Sequence, residues 1–125
     1  METNCSGRDF LEYAIDEFEQ GNYEIAVYLS CVSEYECSKV CDYEGVVSAF
    51  AFLDKARKRF DKATRTEMLR YGIAPNKETM KDFITEHGNM VRLSLRDLLE
   101  EFNFKGELPE NLVSRVEEEL NKISA

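Results

Sequence analysis

Two Pro and six Gly in 125 residues are too few for a turn-rich β fold. Histidine is almost missing as well. His87 is the only one, and it lies in "TEHGNM" with no nucleophile motif of the GxSxG kind. A phosphate-binding loop, GxGxxG and HExxH are absent. The ExxH pairing by which helical bundles hold metals is absent too, because Glu86 adjoins His87 instead of preceding it by three residues. "METNCSGRDF" shows no basic segment followed by an apolar run, so no secretory signal is expected. The longest apolar run, "VVSAFAFL" at 46–53, falls well short of the roughly 20 residues that a membrane span needs. Acids outnumber bases 25 to 16, a net charge of -9, which argues against wholesale coating of nucleic acid. These absences lead to the expectation of a soluble, cytoplasmic, non-enzymatic protein with no cofactor.

What is present is helical periodicity. Ser6 and Asp9 have the spacing of a capping box. Behind them Leu11, Ala14, Ile15 and Phe18 repeat at i, i+3, i+4 and i+7, one face of a helix that Gly21 ends. A second helix is predicted from Asn22 or Tyr23 to about Asp42, antiparallel to the first because the join is so short. A third is predicted from about Tyr43 to Arg70. Its apolar stripe is Val46, Phe50, Leu53, Phe60 and Ala63, and Gly72 and Pro75 close it. Gly45 suggests a bend at its start. Asn76 is positioned to cap a short helix carrying Met80, Phe83 and Ile84, with "HGN" at 87–89 as a break or a kink. A fifth helix would carry Val91, Leu95, Leu98, Leu99 and Phe102. "KGELPEN" is a turn with Pro109 in the first turn of a last helix, built on Leu112, Val113, Val116, Leu120 and Ile123. The expected fold is all-α, one domain over 1–125, an antiparallel bundle of five or six helices.

The stretch "YEIAVYLSCVSEYECSKVCD" carries three of the four cysteines. At 100° per residue, Ala26, Ser30, Ser33, Cys37 and Cys41 fall on one narrow stripe of small side chains. Such a stripe lets another helix approach closely. Tyr28, Val32 and Tyr35 lie opposite, so apolar groups occupy more than one side, as in the central helix of a bundle. The cysteines are then small, mildly apolar packing residues. A metal or redox site is the competing reading. It lacks the CxxC knuckle and the second ligand pair that zinc sites normally use, and thiols in a protein without a secretory signal are expected to stay reduced.

Charge is unevenly distributed. Residues 1–41 carry -7 and residues 76–125 carry -4, whereas 42–75 carry +2. The positive charge sits in "DKARKRFDKATR", where Lys55, Lys58, Arg59, Lys62 and Arg65 form a ribbon along the third helix. A solvated face, partly paired with Glu117 to Glu119, is one reading. A docking strip for an acidic protein partner, or for a nucleic-acid backbone, is the other. No aromatic is interleaved within the ribbon to stack a base. Carboxylates in "EFEQ", "DLLEEF" and "VEEEL" have the spacing of solvated helix faces.

The order Ala14, Gly21, Tyr23, Ala26, Tyr28, Ser30, Ser33 and Lys39 resembles the first hairpin of HEPN domains. In that family a Gly-x-Tyr turn starts a helix with small residues at these spacings and a Lys near its end. The resemblance spans about 35 residues. It implies a helical bundle, often dimeric, linked to RNA cleavage or to a nucleotidyltransferase partner. Catalytic members carry Arg, four to six residues, then His. Before His87 the corresponding positions 80 to 82 are Met, Lys and Asp, so the resemblance implies a non-catalytic relative. The hairpin is also similar to a tetratricopeptide unit through Ala14, Gly21, Tyr23 and Ala26, which would imply a peptide-binding scaffold. No second copy follows at the period of about 34 residues such arrays require. The expected function is a non-catalytic interaction module working through protein contacts, including a homodimer, with a nucleic-acid-linked HEPN relative as the alternative.

Overall fold

The computed structural model describes residues 6–93 and 110–120. Among the described residues five α-helices form an all-α bundle: α1 Gly7–Glu19, α2 Tyr23–Lys39, α3 Tyr43–Arg70, α4 Lys77–Leu93 and α5 Glu110–Leu120. None is long and apolar enough to cross a membrane.

The helix ends follow from local chemistry. At α1 the capping box is complete: Asp9 N–H donates to the Ser6 hydroxyl at 3.2 Å, and Ser6 N–H donates to the Asp9 carboxylate at 2.8 Å. At α4, Thr79 N–H donates to the Asn76 side chain and Asn76 N–H to the Thr79 hydroxyl, both at 2.9 Å. The C-termini of α1, α2 and α3 share one closure, in which the residue after the cap turns left-handed and two N–H groups reach back to orphan carbonyls. In α1, Gly21 (φ 87°) and Asn22 donate to Phe18 and Glu17. In α3, Gly72 (φ 73°) and Ile73 donate to Leu69 and Met68. In α2 the left-handed residue is Cys41 (φ 57°), which with Asp42 donates to Ser38 and Cys37.

α2 is the central helix, packed by α1, α3 and α5. Its residues from Ala26 through Ser33 are buried without interruption. A helix buried all round draws stability from every side, and each large apolar side chain removed from water contributes about 1.5–3 kcal/mol. Phe10 and Ala14 supply the α1 contribution, Leu53 and Ala56 that of α3, and Leu112, Val116 and Leu120 that of α5.

Two expectations need correction. The predicted α3 stripe is displaced: Ala49, Leu53, Ala56, Thr64 and Met68 are buried, whereas Phe50 is exposed and Val46, Phe60 and Ala63 are half-buried. Small residues at 49 and 56 let α3 approach α2 closely, which turns the larger Phe50 outward. "HGN" does not interrupt the chain's helix, because α4 runs through 87–89 and takes in Val91. The expected helix around Leu95, Leu98, Leu99 and Phe102, the turn at 105–109, Cys5 and Ile123 lie outside the described residues.

Candidate interaction surfaces

The small-residue stripe of α2 forms a close junction with α1 and α3. Ser30, Ser33 and Cys37 are buried, and the Ser33 hydroxyl donates to the Gly7 carbonyl at 2.6 Å. Gly7 and Gly45 both face the Cys37 sulfur, and a methyl group added at either would collide with it. Three helices therefore meet around one thiol. Burial, and next the negative charge of Asp42, raise the Cys37 pKa and keep the thiol protonated. Cys41 does not continue the stripe as the 100° spacing suggested. α2 ends at Lys39, and Cys41 is exposed in the left-handed turn. Cys31 is buried in the core, and the three described cysteines are free thiols. Among the described residues no three His, Cys, Asp or Glu side chains group closely enough to hold a metal.

Two ionic clasps hold the periphery of the hairpins. Arg8 grips Asp42 through two contacts of 2.7 Å, and Asp42 also accepts from the Gly45 N–H at the start of α3. The Arg8 guanidinium holds the Asp42 carboxyl down at about 2, below its ordinary 3.8. On the other side, Arg115 of α5 holds Glu34 of α2 in a two-pronged contact at 2.6 and 3.2 Å. Arg115 also reaches Glu119 at 3.4 Å, and Arg57 of α3 approaches Glu119 at 3.9 Å. Glu119 thus pairs with Arg57 and Arg115.

All five ribbon residues project from α3, but they are not equivalent. Lys58 bonds Asp54 at 3.0 Å and Arg65 bonds Asp61 at 3.2 Å. Hydrogen bonds from Lys58, then Arg57, depress the Asp54 pKa. Lys55 lies over the Phe18 ring, 5.2 Å from its centroid. Arg59 spans the Phe18 and Tyr23 rings at 5.6 and 5.1 Å and donates to the Tyr23 hydroxyl at 2.9 Å. Lys62 is exposed and makes no ion pair among the described residues, although Glu67 lies in the wall of the same concavity. The aromatic groups missing from the ribbon's own sequence are thus delivered from α1 and α2. No local spacing could have disclosed them, since Tyr23 and Arg59 are 36 residues apart.

A second surface goes beyond the expectations drawn from the sequence. The outward face of α3 is apolar over its first two turns and charged beyond. Tyr43, Val47 and Phe50 are 71, 69 and 59% exposed, and Val40, just before them, is 73% exposed. Further along the same face stand the ion-paired Asp54, Lys58, Asp61 and Arg65. A shallow depression of about 490 Å³, lined by Arg8, Tyr43, Glu44, Val47 and Ser48, borders the apolar part. Tyr43, Val47 and Phe50 stand at i, i+4 and i+7 in the sequence, but the same periodicity fits Phe50 to the apolar stripe expected to face the core.

Two further concavities adjoin each other where α2 begins. One, of about 280 Å³, has Tyr23, Arg59, Lys62, Thr66 and Arg70 in its wall. The other, of about 390 Å³, is lined chiefly by Ile25, Phe60, Ala63, Phe83 and Ile84. Tyr23, Ala63 and Glu67 belong to both. No family model, curated protein or solved structure matches this chain.

Proposed function

We propose that the chain is a non-catalytic interaction module that acts through protein–protein contacts, with a second copy of itself as the first partner. The observation that carries this reading is the half-and-half outer face of α3. Apolar side chains that are more than half exposed and follow one another along a helix lower the free energy when another surface covers them. Contiguous patches of this kind mark contact sites on soluble proteins. The change to ion-paired residues at Asp54 limits the strip to the start of the helix. In an antiparallel pairing of two such helices about a two-fold axis near Val47, the strips of the two copies would cover one another.

Sedimentation equilibrium of the intact chain tests the reading, with Val47→Asp and Phe50→Asp as variants. The expected result is a species near twice 14.5 kDa that either substitution converts to a monomer. Circular dichroism should stay unchanged, because both side chains are exposed. A wild-type chain that is monomeric at every concentration removes self-association. A dimer that survives both substitutions removes the strip as its contact.

A further inference from the structure

The adjoining concavities at the start of α2 point to a binding site separate from the α3 strip. On α3, Arg57, Lys58, Arg65 and Arg70 each face a carboxylate. Lys55, Arg59 and Lys62 have none among the described residues; Lys55 lies over the Phe18 ring, and the Arg59 contacts are with the neutral phenol of Tyr23 and two rings. In a chain of net charge -9, three neighbouring cations left without an acid form a local excess of positive charge, which an anionic group would neutralise. Arg59 is already fixed in place by the Tyr23 hydroxyl and the rings of Phe18 and Tyr23. A carboxylate docking there avoids much of the side-chain ordering that usually opposes binding. The two acids nearby are engaged: Glu67 with Arg70, and Glu24 with the Tyr28 hydroxyl.

The apolar concavity begins where the basic one ends, at Tyr23 and Ala63. Ile25, Phe60, Phe83 and Ile84 line it, and a large aliphatic or aromatic side chain would find there the same surroundings as in a protein core. We propose that this paired cleft binds an acidic protein segment, with its carboxylates on Arg59 and Lys62 and an adjacent large apolar side chain in the Phe60–Phe83 groove. Single-stranded nucleic acid fits less well. Lys55 already stands over the Phe18 ring and Arg59 over the Tyr23 ring, which leaves less open ring surface on which a base could stack.

The test is selection of a random peptide library against the full chain, followed by titration of the synthetic consensus peptide by fluorescence anisotropy. The expected consensus joins Asp or Glu to a neighbouring Leu, Ile or Phe. Lys62→Glu, an exposed position, should weaken it by roughly tenfold or more. Ala63→Leu should weaken it by partly filling the groove, and added salt should weaken it further. Val47→Asp should leave the affinity unchanged. A consensus without acids, the absence of any consensus, or indifference to Lys62→Glu overturns the proposal. Loss on Val47→Asp in place of Lys62→Glu overturns it too, and assigns the peptide to the α3 strip. A uridine oligonucleotide that binds more tightly than the peptide, and depends on Lys62, overturns it in favour of nucleic acid.

Discussion

The Ser33 hydroxyl donates to the Gly7 carbonyl at 2.6 Å and joins the middle of α2 to the first turn of α1. This contact leaves no room for a larger side chain on either partner. A methyl group added at Gly7 would come within 2.7 Å of the Cys37 nitrogen and 2.9 Å of the Ser33 oxygen. Both are backbone atoms that cannot rotate away.

Ser33→Leu should therefore cost about 2 kcal/mol by overpacking the hairpin. Gly7→Ala should cost a similar amount despite improving helix propensity. Urea unfolding followed by circular dichroism reads both. A Ser33→Leu stability within about 0.5 kcal/mol of wild type is incompatible with this junction.

Cys41 pays the steric penalty of the left-handed region, about 1–2 kcal/mol for an L residue, in a closure that α1 and α3 build with Gly. Cys41→Gly should raise stability by about 0.5–1 kcal/mol, the remainder being lost to the greater freedom of glycine in the unfolded chain. Cys41→Val should lower it, since a β-branched residue is a poor fit at positive φ. Thermal melts of the two variants give opposite shifts if the turn is as described.

The Asp42 carboxyl has a lower pKa folded than unfolded, about 2 against 3.8. Its contribution to stability is present in full above the unfolded value and is lost as the pH falls from about 4 through about 2. Unfolding measured across that window should show a steep acid slope, and Asp42→Asn should flatten it. An unchanged slope in Asp42→Asn would place the acid sensitivity in other carboxylates.

Arg115 serves two carboxylates that are nearly out of solvent: the side chain of Glu34 is 14% exposed and that of Glu119 is 6%. Arg115→Met should cost on the order of 3 kcal/mol, mostly because it strands the Glu34 charge, whereas Glu119 keeps Arg57 beside it. The same substitution should cost much less in a Glu34→Gln, Glu119→Gln background. A double-mutant cycle separates the two cases. Equal costs in both backgrounds would mean that packing of the Arg115 stem, and not its charge, holds α5.

Helix starts and most of the core were legible because they rest on local chemistry. Ser6 with Asp9, Asn76 with Thr79 and the periodic Leu112, Val116 and Leu120 each act within a turn or two. The end of α2 was missed because no Gly marks it, and Cys41 takes the left-handed role without any sequence signal. The outer face of α3 was missed for a different reason. Periodicity fixes which residues share a side but not which side meets α2, and small Ala49 and Ala56 won that place over Phe50. The pairing of Arg59 with Tyr23 and Phe18 depends on tertiary contact across the hairpins, which no spacing within the ribbon could encode.

The two anchors of α2 also differ in how much chain separates them. Ser33 and Gly7 are 26 residues apart, whereas Glu34 and Arg115 are 81 apart. Closing the longer loop costs about 1 kcal/mol more in chain entropy. Folding should therefore be ordered in time. α1, α2 and α3 condense first through sequence-near contacts, and α5 docks afterwards onto a surface already prepared for it. On unfolding the order reverses. The last helix to arrive should be the first to leave, and its departure would open to water the side of the core where Cys31 lies beside Leu112 and Arg115.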